Sequence, residues 1–291
     1  MLLTLLGTGC PQVDPGRMGP ANLVRVPGRA LLFDCGSGVT QRLVQAGTPG
    51  RDIDALFLTH LHSDHVVDFH QLIVSSWHQG RDRPMRVFGP PGTIGFVERS
   101  FALWREELDR RVAHEKRPST DALDVKVVEY ADGQTLRGGG LTVTAVKVNH
   151  DPFPDCYGFV VESGTHRLVI SGDTTVWPPL IEAARGVDCL LHEVFIRREM
   201  PVVDGVRTAE TREAIAAYHT LSTDVGRVAA EASVGCLILN HFVPTRFDPA
   251  ALVAEVRADW SGPLLLGEDL MSYDLASRIV TAGGATIALP E

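Results

Sequence analysis

The sequence has few cysteines, an excess of negative charge and no long apolar run, and each of these features excludes a class of protein. The cysteines are odd in number, widely scattered and never arranged as Cys-x-x-Cys, and they are Cys10, Cys35, Cys156, Cys189 and Cys236. This usage predicts reduced, mostly buried thiols in a cytoplasmic protein rather than a disulfide framework. The formal net charge of −9 disfavours a polyanion as the main partner.

Segments that would divide the chain are also lacking. There is no Ser/Pro-rich linker, charge block, low-complexity run or internal repeat, so we predict one domain over residues 1–291. The apolar start, Met1 to Leu6, is too short and too uncharged for a signal peptide and is predicted to be the first strand. No apolar stretch reaches membrane-spanning length, so we expect no association with a membrane.

Short β-rich runs ending in polar or glycine-containing loops dominate the sequence, with helical periodicity between them. The predicted strands are Leu2–Leu6, Asn22–Val26, Arg29–Asp34, Ala55–Thr59, Met85–Phe88, Val125–Tyr130, Leu141–Val148, Gly158–Ser163, Arg167–Ser171, Cys189–His192 and Cys236–Asn240. The predicted helices are Val39–Ala46, Ile94–Ala113, Pro179–Ala184 and Thr223–Ala232. This alternation fits an α/β protein in which two sheets pack together with helices outside.

The helix predicted over Ile94–Ala113 has the clearest apolar stripe. Its members are Ile94, Val97, Phe101, Trp104 and Leu108. Such a stripe indicates a helix that faces the core, and a roof over the active site or a dimer contact is the alternative.

The segment Thr59-His60-Leu61-His62-Ser63-Asp64-His65 concentrates potential metal ligands where a buried strand should end. In an extended loop His60 and His62 point to the same side and can share one ion. Asp64 and His65 follow where the chain turns toward a helix, so they can face a second ion. Imidazole suits zinc and similar divalent ions, and a carboxylate adds a harder donor.

Three further candidates, His150, Asp173 and His241, each follow a β-branched or leucine-rich run. A lone histidine at a strand end is usually structural. Beside so dense a cluster, however, we expect these residues to converge on it. Seven ligands are too many for one zinc ion and suit two, which leaves open positions for water and substrate.

The His-x-His-x-Asp-His signature followed by a distant His, Asp and His resembles the metallo-β-lactamase superfamily. The resemblance extends over essentially the whole chain and includes Leu6-Gly7-Thr8-Gly9 and Leu32-Phe33-Asp34-Cys35-Gly36. It implies an αββα sandwich with a binuclear site at one edge. The implied ligands are His60, His62 and His150 for the first metal and Asp64, His65 and His241 for the second, with Asp173 bridging.

Details of the motif narrow the resemblance. A histidine at position 62 resembles the hydrolases, whereas flavo-diiron relatives typically carry a glutamate there and an appended flavin domain. Asp173 stands where many lactamases have cysteine, which argues against a drug-resistance lactamase.

Two further motifs, Leu190-Leu191-His192-Glu193 and Tyr218-His219-Thr220, resemble the ribonuclease Z and arylsulfatase-like branch. The branch implies that Glu193 and His219 form a pair beside the metals. A carboxylate that accepts a hydrogen bond from imidazole stabilises its protonated form, so His219 could donate a proton to a leaving oxygen. A surface histidine before a helix cap is the alternative. The expected catalytic residues are Asp64, Glu193 and His219.

The tRNA-processing members of the branch insert a long substrate-binding arm between the motif histidine and the bridging aspartate. Here only Asp151 to Gly172 lies between them, and it is predicted to be a loop and a hairpin. Without that arm, and with an acidic charge, tRNA is not the expected substrate.

The resulting prediction is a hydrolase that cleaves a small-molecule ester of the aryl sulfate or phosphodiester type by a metal-bridging hydroxide. A lactonase or other carboxylic ester hydrolase, a ribonuclease Z-like nuclease and a non-catalytic metal-binding scaffold are the alternatives. Two divalent ions are expected, with zinc favoured over manganese or iron. A homodimer stays open by analogy with relatives.

Residues outside the ligand set are also candidates for the site. Asp34 could orient a ligand or could simply be a turn residue. Residues Arg197–Thr211 are predicted to form a lid or a dimer element. The candidates for substrate contact, each with ordinary packing as the alternative, are Arg17, Met18, Trp77, His78, Phe153, Tyr157 and Phe242.

Overall fold

Two β-sheets face each other in the structure, a computed structural model that describes residues 1–290. With elements numbered in chain order, the first sheet runs β16-β15-β14-β1-β2-β3-β4-β5-β6. Its strands are β1 Leu2–Gly7, β2 Ala21–Val26, β3 Arg29–Phe33, β4 Ala55–Phe57, β5 Met85–Gly89, β6 Val125–Glu129, β14 Ser272–Asp274, β15 Ile279–Ala282 and β16 Ala285–Ala288.

The second sheet runs β13-β12-β11-β10-β9-β8-β7. Its strands are β7 Thr135–Gly138, β8 Leu141–Lys147, β9 Tyr157–Ser163, β10 His166–Ile170, β11 Cys189–Phe195, β12 Leu237–Val243 and β13 Leu264–Leu266. The helices are α1 Val39–Gln45, α2 Ser63–Val66, α3 Phe69–His78, α4 Thr93–Glu115, α5 Pro178–Ala183, α6 Ala209–Ala216, α7 Val225–Ala232 and α8 Pro249–Val256.

The core lies between the sheets because alternate residues of each strand point inward. Phe33 and Phe57 stack with ring centroids 5.1 Å apart, and Phe159 of the opposite sheet contacts both rings. The outward faces of the strands carry a second apolar set that packs under the helices on each side. The layers are therefore helix, sheet, sheet and helix, which is the predicted αββα sandwich.

Parallel pairing explains where the polar residues collect. Strands β3, β4 and β5 run parallel in one sheet, as do β10, β11 and β12 in the other. The carboxyl ends of these strands meet at one edge of the sandwich, and the segments that begin with Asp34, Thr59 and Ser171 leave the strands there. The predicted ligands accordingly share that edge.

The structure differs from the sequence prediction mainly after residue 240. Helices α6 and α8 and the strands β7 and β13 to β16 were not predicted, and α2 and α3 lie where a helix was expected after the ligand cluster without stated bounds. The prediction that the whole apolar stripe of α4 faces the core was partly wrong. Val97, Phe101 and Leu108 are buried, but Ile94 and Trp104 are about half exposed. The two exposed members lie at the margin of the helix face that the sheet covers. No helix in residues 1–290 is long and apolar enough to cross a membrane.

The predicted state of the cysteines agrees with the structure, in which all five are buried and free. The single-domain assignment stays a prediction.

Candidate metal centre

Seven side chains converge at the shared edge in two groups that each could hold a metal ion. One group is His60, His62, His150 and Asp173, and the other is Asp64, His65 and His241. Within each group one nitrogen or oxygen per residue lies within 4.8 Å of all the others. The fold thus brings together every residue that the sequence predicted as a ligand.

Asp34 fixes the orientation of His65. Its Oδ2 atom lies 2.9 Å from His65 Nδ1, and its Oδ1 atom accepts hydrogen bonds from the amide and hydroxyl of Thr59. An Nδ1–H that donates to a carboxylate leaves the Nε2 lone pair free to face the other group members. Asp34 has a positive φ of 62°, and this conformation aims its carboxylate back at the ligand loop. The role suggested for Asp34 is thus supported by its contacts.

Backbone and hydroxyl partners orient two further imidazoles. His150 Nδ1 donates to the carbonyl of Tyr218 at 2.7 Å, so its Nε2 atom faces His62 Nδ1 at 3.4 Å. His60 Nδ1 lies 2.9 Å from the Thr59 hydroxyl. Its buried Nε2 atom has no hydrogen-bond partner in the described chain. A buried nitrogen with no partner is costly unless it coordinates an ion or binds water.

Asp173 Oδ2 occupies the centre of the cluster. It lies 3.5 Å from the Nε2 atoms of both His65 and His241. It is also 3.9 Å from the Nε2 atoms of His60 and His150. One carboxylate oxygen therefore faces both ligand groups, which is the placement that a bridging ligand requires.

The donor set fits a pair of divalent cations. Donor atoms around a tetrahedral zinc ion are separated by about 3.3 Å, given metal–nitrogen distances of about 2.0–2.1 Å. The Nε2 atoms of His65 and His241 are 3.2 Å apart, and Asp64 Oδ2 lies 3.3 Å from the latter. Nitrogen and carboxylate donors at such separations suit zinc, manganese or iron, so the chemistry does not select one metal.

The two ligand groups differ in electrostatics. Burial, together with the neighbouring His65, holds the pKa of His60 well below its usual value, and burial with His150 lowers the pKa of His62 to about 4. Burial also lowers the pKa of His65, but the carboxylates of Asp173 and Asp64 outweigh it and raise the pKa overall. The first group thus offers neutral imidazoles, whereas the second lies in negative potential that favours a cation.

Glu193 and His219 form the pair that the branch resemblance implied. Glu193 Oε1 accepts a hydrogen bond from His219 Nδ1 at 3.0 Å and from the amides of Thr174 and Thr220 at 3.1 Å each. Glu193 is therefore held by the segment that carries Asp173 and by the segment that carries His219. The His219 ring stacks near His241 with centroids 5.9 Å apart, which places it beside the cluster.

A cavity of about 340 Å³ opens over the cluster. Besides His62, Asp64, Asp173, His219 and His241, it is lined by Cys10, Pro11, Gln12, Ser63, Phe153, Met200, Arg207, Ile215, Tyr218 and Val243. Outside the ligand cluster and His219 the lining is mostly apolar, with Gln12, Ser63 and Arg207 as its polar members, as is typical of a binding pocket for a small group.

Most of the candidates for substrate contact take the packing alternative and do not line the cavity. Phe153 lines the cavity, with its ring centroid 3.9 Å from that of His62. Trp77 is buried within α3 and donates to the Ser119 carbonyl, and Tyr157 is buried against Tyr130.

The other candidates lie away from the cavity for equally local reasons. His78 lies next to Arg117 at the end of α3, and Met18 packs against Gly38. Arg17 is stacked on the ring of buried Phe242, 4.4 Å from its centroid. Packing against neighbouring residues thus explains all four positions without substrate.

One wall of the cavity is a loop whose anchor the sequence did not reveal. Asp269 accepts hydrogen bonds from the Thr8 amide and hydroxyl, the Met18 amide and the Arg42 guanidinium at 2.8–3.0 Å. The Thr8 carbonyl in turn accepts from the amide of Phe242, the residue after His241. We call residues 7–19 the anchored loop. No local signal predicts this network because its partners are up to 261 residues apart.

The other wall is the segment of residues 197–217, which we call the lid. It contains a short 3₁₀ turn at Arg197–Glu199, a tight turn at Asp204 and Gly205, and α6. Met200, Arg207 and Ile215 project from it to line the cavity. The lid interpretation of residues Arg197–Thr211 is therefore supported by position.

Comparison with known families agrees with this geometry. Residues 29–242 match the model of the beta-lactamase superfamily domain, and the chain belongs to that superfamily. Among curated proteins, a ribonuclease Z of Mycobacterium marinum is 33% identical over 95% of this chain and 99% of its own length. The predicted superfamily and ribonuclease Z-like branch are thus confirmed.

Solved structures show the same fold. A metallo-beta-lactamase fold protein of Bacillus subtilis, YhfI, superposes with a TM-score of 0.73 at 22% identity, covering 94% of this chain and 99% of that one. The short form of human tRNase Z gives a TM-score of 0.70 at 22% identity with the same coverage.

Membership of the superfamily, together with the ribonuclease Z relatives, makes the chain a metal-dependent hydrolase that acts on ester bonds. The comparisons also weaken one prediction. A ribonuclease Z that aligns over 99% of its own length contains no long arm that this chain lacks. The short segment Asp151 to Gly172, which holds a loop and the β9–β10 hairpin, therefore does not exclude the activity of such relatives.

Proposed function

We propose that this protein is a phosphodiesterase with a binuclear divalent metal centre. The first metal would be held by His60, His62 and His150, and the second by Asp64, His65 and His241. The observation that carries the proposal is the position of Asp173 Oδ2, which faces histidines of both groups at 3.5–3.9 Å beside the Glu193–His219 pair.

The names of the relatives favour phosphorus as the atom that is attacked, rather than the sulfur of a sulfate ester or the carbonyl carbon of a lactone. A ribonuclease cleaves phosphodiester bonds, and the relative at 33% identity carries that name. No relative that we cite supports an aryl sulfate or a lactone, so these substrates become alternatives.

The chain's own groups supply orientation and proton transfer. When bound, the two cations would supply Lewis acidity that activates water and polarises the phosphate. His219 donates its Nδ1–H to Glu193, so its Nε2 atom is the one available to the cavity. From Nε2 a proton can pass to the departing oxygen, and the hydrogen bond to Glu193 holds the ring in the orientation that this transfer requires. Asp64, as a ligand, would complete the catalytic set.

Cavity size favours a small or terminal substrate group. A cavity of about 340 Å³ accommodates roughly one nucleotide-sized unit rather than a folded RNA. Cleavage of an RNA precursor near its end is the second candidate, because the ribonuclease Z relative aligns over nearly its whole length. In either case the scissile bond is a phosphodiester.

A parallel substrate screen tests the proposal. Protein loaded with zinc or manganese would be assayed with bis(p-nitrophenyl) phosphate, p-nitrophenyl sulfate, a lactone and a precursor tRNA. We expect turnover of the phosphodiester. Hydrolysis of the sulfate or lactone without the phosphodiester or the RNA would refute it, and cleavage of the RNA alone would favour the second candidate.

The role of His219 has its own test. His219→Ala should lower kcat about 10²–10⁴-fold on a diester with a poor leaving group and much less on a p-nitrophenyl ester, which departs unaided. His114→Ala, at the exposed end of α4, is the matched control. An equal loss on both esters would contradict proton donation by His219.

Metal content separates ligands from neighbours. Asp173→Ala should reduce the bound metal, measured by elemental analysis, whereas Asp155→Ala at the surface should not. The same measurement on protein purified without added metal identifies the ion. The cytoplasmic location and a homodimer stay predictions, the latter open to light scattering.

A further inference from the structure

Arg207 enters the cavity from a well-defined turn of the lid. The Val203 amide donates to the Arg207 carbonyl at 2.9 Å, and the Arg207 amide donates back to the Val203 carbonyl at 2.8 Å. Gly205 has a φ of 69° between them, a conformation that glycine adopts readily. Arg207 is half-buried although its neighbours in the turn are exposed. The turn thus directs the Arg207 side chain inward.

Arg207 differs from the other arginines of the lid in having no acidic partner. Arg197 pairs with Glu213 at 2.8 Å and Arg212 pairs with Glu213 at 3.1 Å. Arg198 pairs with Glu199 at 3.2 Å. Within residues 1–290 no carboxylate pairs with Arg207, and its guanidinium donates only to the Pro201 carbonyl at 3.2 Å. Its charge is therefore not neutralised by a carboxylate within the described residues.

Arg207 is also the one lysine or arginine among the side chains that line the cavity in the described chain. The scissile phosphate would be neutralised at the metal cluster, so it has no need of this cation. An unpaired guanidinium with several donors suits a second phosphate, to which it can bind through two hydrogen bonds.

We propose that Arg207 selects substrates that carry a second phosphate group in addition to the phosphodiester that is cleaved. This inference rests on the proposed function, because it assigns a substrate class to the same site. The ligand would be a nucleotide-like diester with a further phosphate. The apolar rings of Phe153 and Tyr218, which also line the cavity, would lie against its base or sugar.

A chromogenic substrate pair isolates the effect of the second phosphate. Thymidine 5′-(p-nitrophenyl phosphate) and its 3′-phosphorylated form share the same scissile bond and leaving group. With metal-loaded enzyme we expect the 3′-phosphorylated ester to have a KM about tenfold lower, because hydrogen bonds between charged groups are strong. Inhibition by thymidine 3′,5′-bisphosphate should exceed that by the 5′-monophosphate to a similar degree.

Variants then assign the preference to Arg207. Arg207→Gln should raise the KM of the 3′-phosphorylated ester to that of the simpler ester and so abolish the difference between them. Arg207→Lys should retain part of it, and Arg212→Gln, the matched control, should retain all of it.

The outcomes distinguish this inference from the proposed function. If neither ester is hydrolysed and no other phosphodiester is, the proposed function fails. If both esters are hydrolysed with equal KM, or if Arg207→Gln keeps the preference or weakens both esters alike, the inference about Arg207 is overturned while the proposed function stands.

Discussion

The two walls of the cavity are built in opposite ways. The anchored loop is held by a nearly buried carboxylate, Asp269, that accepts hydrogen bonds from three residues. The lid has one buried anchor, Met200, but its helix α6 has no buried residue, and Val202, Val203 and Val206 at its turn are exposed. A wall with many buried contacts opens only with much of the fold, whereas an exposed wall opens locally. The difference suggests that the anchored side preserves the catalytic geometry while the lid sets substrate choice.

The largest expected effect on activity comes from removing the metals. Chelation should abolish measurable phosphodiesterase activity and lower Tm, since ions bound only by the native state at about 100 times their Kd stabilise it by about 2.7 kcal/mol. Calorimetry and activity assays would measure this. If chelation also accelerated proteolysis of the lid, opening of the lid would depend on the metal centre and would not be local.

The next effect concerns the anchor of the loop. Asp269→Ala leaves the Arg42 charge and the amides of Thr8 and Met18 without their partner, so we expect a loss of about 3–5 kcal/mol in unfolding free energy. Urea denaturation would measure it. Asp82→Ala, at an exposed position, should stay within about 0.5 kcal/mol of the native protein. A similarly small change for Asp269→Ala would remove the basis of the comparison.

Limited proteolysis compares directly how readily the two walls open. Trypsin should cleave after arginines of the lid at least about tenfold faster than after Arg17 of the anchored loop. The physical reason is that Arg17 is held by Thr8 and the Gly267 carbonyl at 2.6 and 2.8 Å. Mass spectrometry of early fragments gives the order, and cleavage at Arg17 first would reverse the assignment of the walls.

The smallest expected effect is at the lid surface. Val206 is 76% exposed, so Val206→Asn should change the unfolding free energy by less than about 0.5 kcal/mol. Val243, which lines the same cavity from β12, is buried, and Val243→Asn should cost about 1–3 kcal/mol because it buries a polar group. Equal costs measured by denaturation would show that the lid surface is packed in solution.

The strands that position the ligands were predictable because their residues are buried on both faces. Strands β3, β4, β10, β11 and β12 appear within a few residues of their predicted bounds. Strand β16 was missed because all four of its residues are exposed and no alternation marks it. Helix α8 was missed although Asp248 before Pro249 is a recognisable helix start, with the Asp248 side chain accepting from two amides.

The site residues likewise include some that the sequence indicated and others that only the structure revealed. The dense motif at residues 59–65 indicated the ligand cluster, and a resemblance supplied the Glu193–His219 pair. Arg207 carries no motif, and its importance appears only from the lack of an acidic partner in three dimensions. The anchoring role of Asp269 depends on a contact across most of the chain, which a single sequence does not encode locally.

That long contact has a consequence for the timing of synthesis. Strand β1 pairs with β14, Leu2 opposite Asp274, and the loop that follows β1 is fastened by Asp269. On the ribosome β1 can pair with β2 at once, but its other edge and the loop that follows it find their partners only after residues 269–274 have emerged. The position of His241 also depends on this loop, because the amide of Phe242 donates a hydrogen bond to the Thr8 carbonyl. A nascent or truncated chain that ends before Asp269 would carry the motif histidines without a closed cavity.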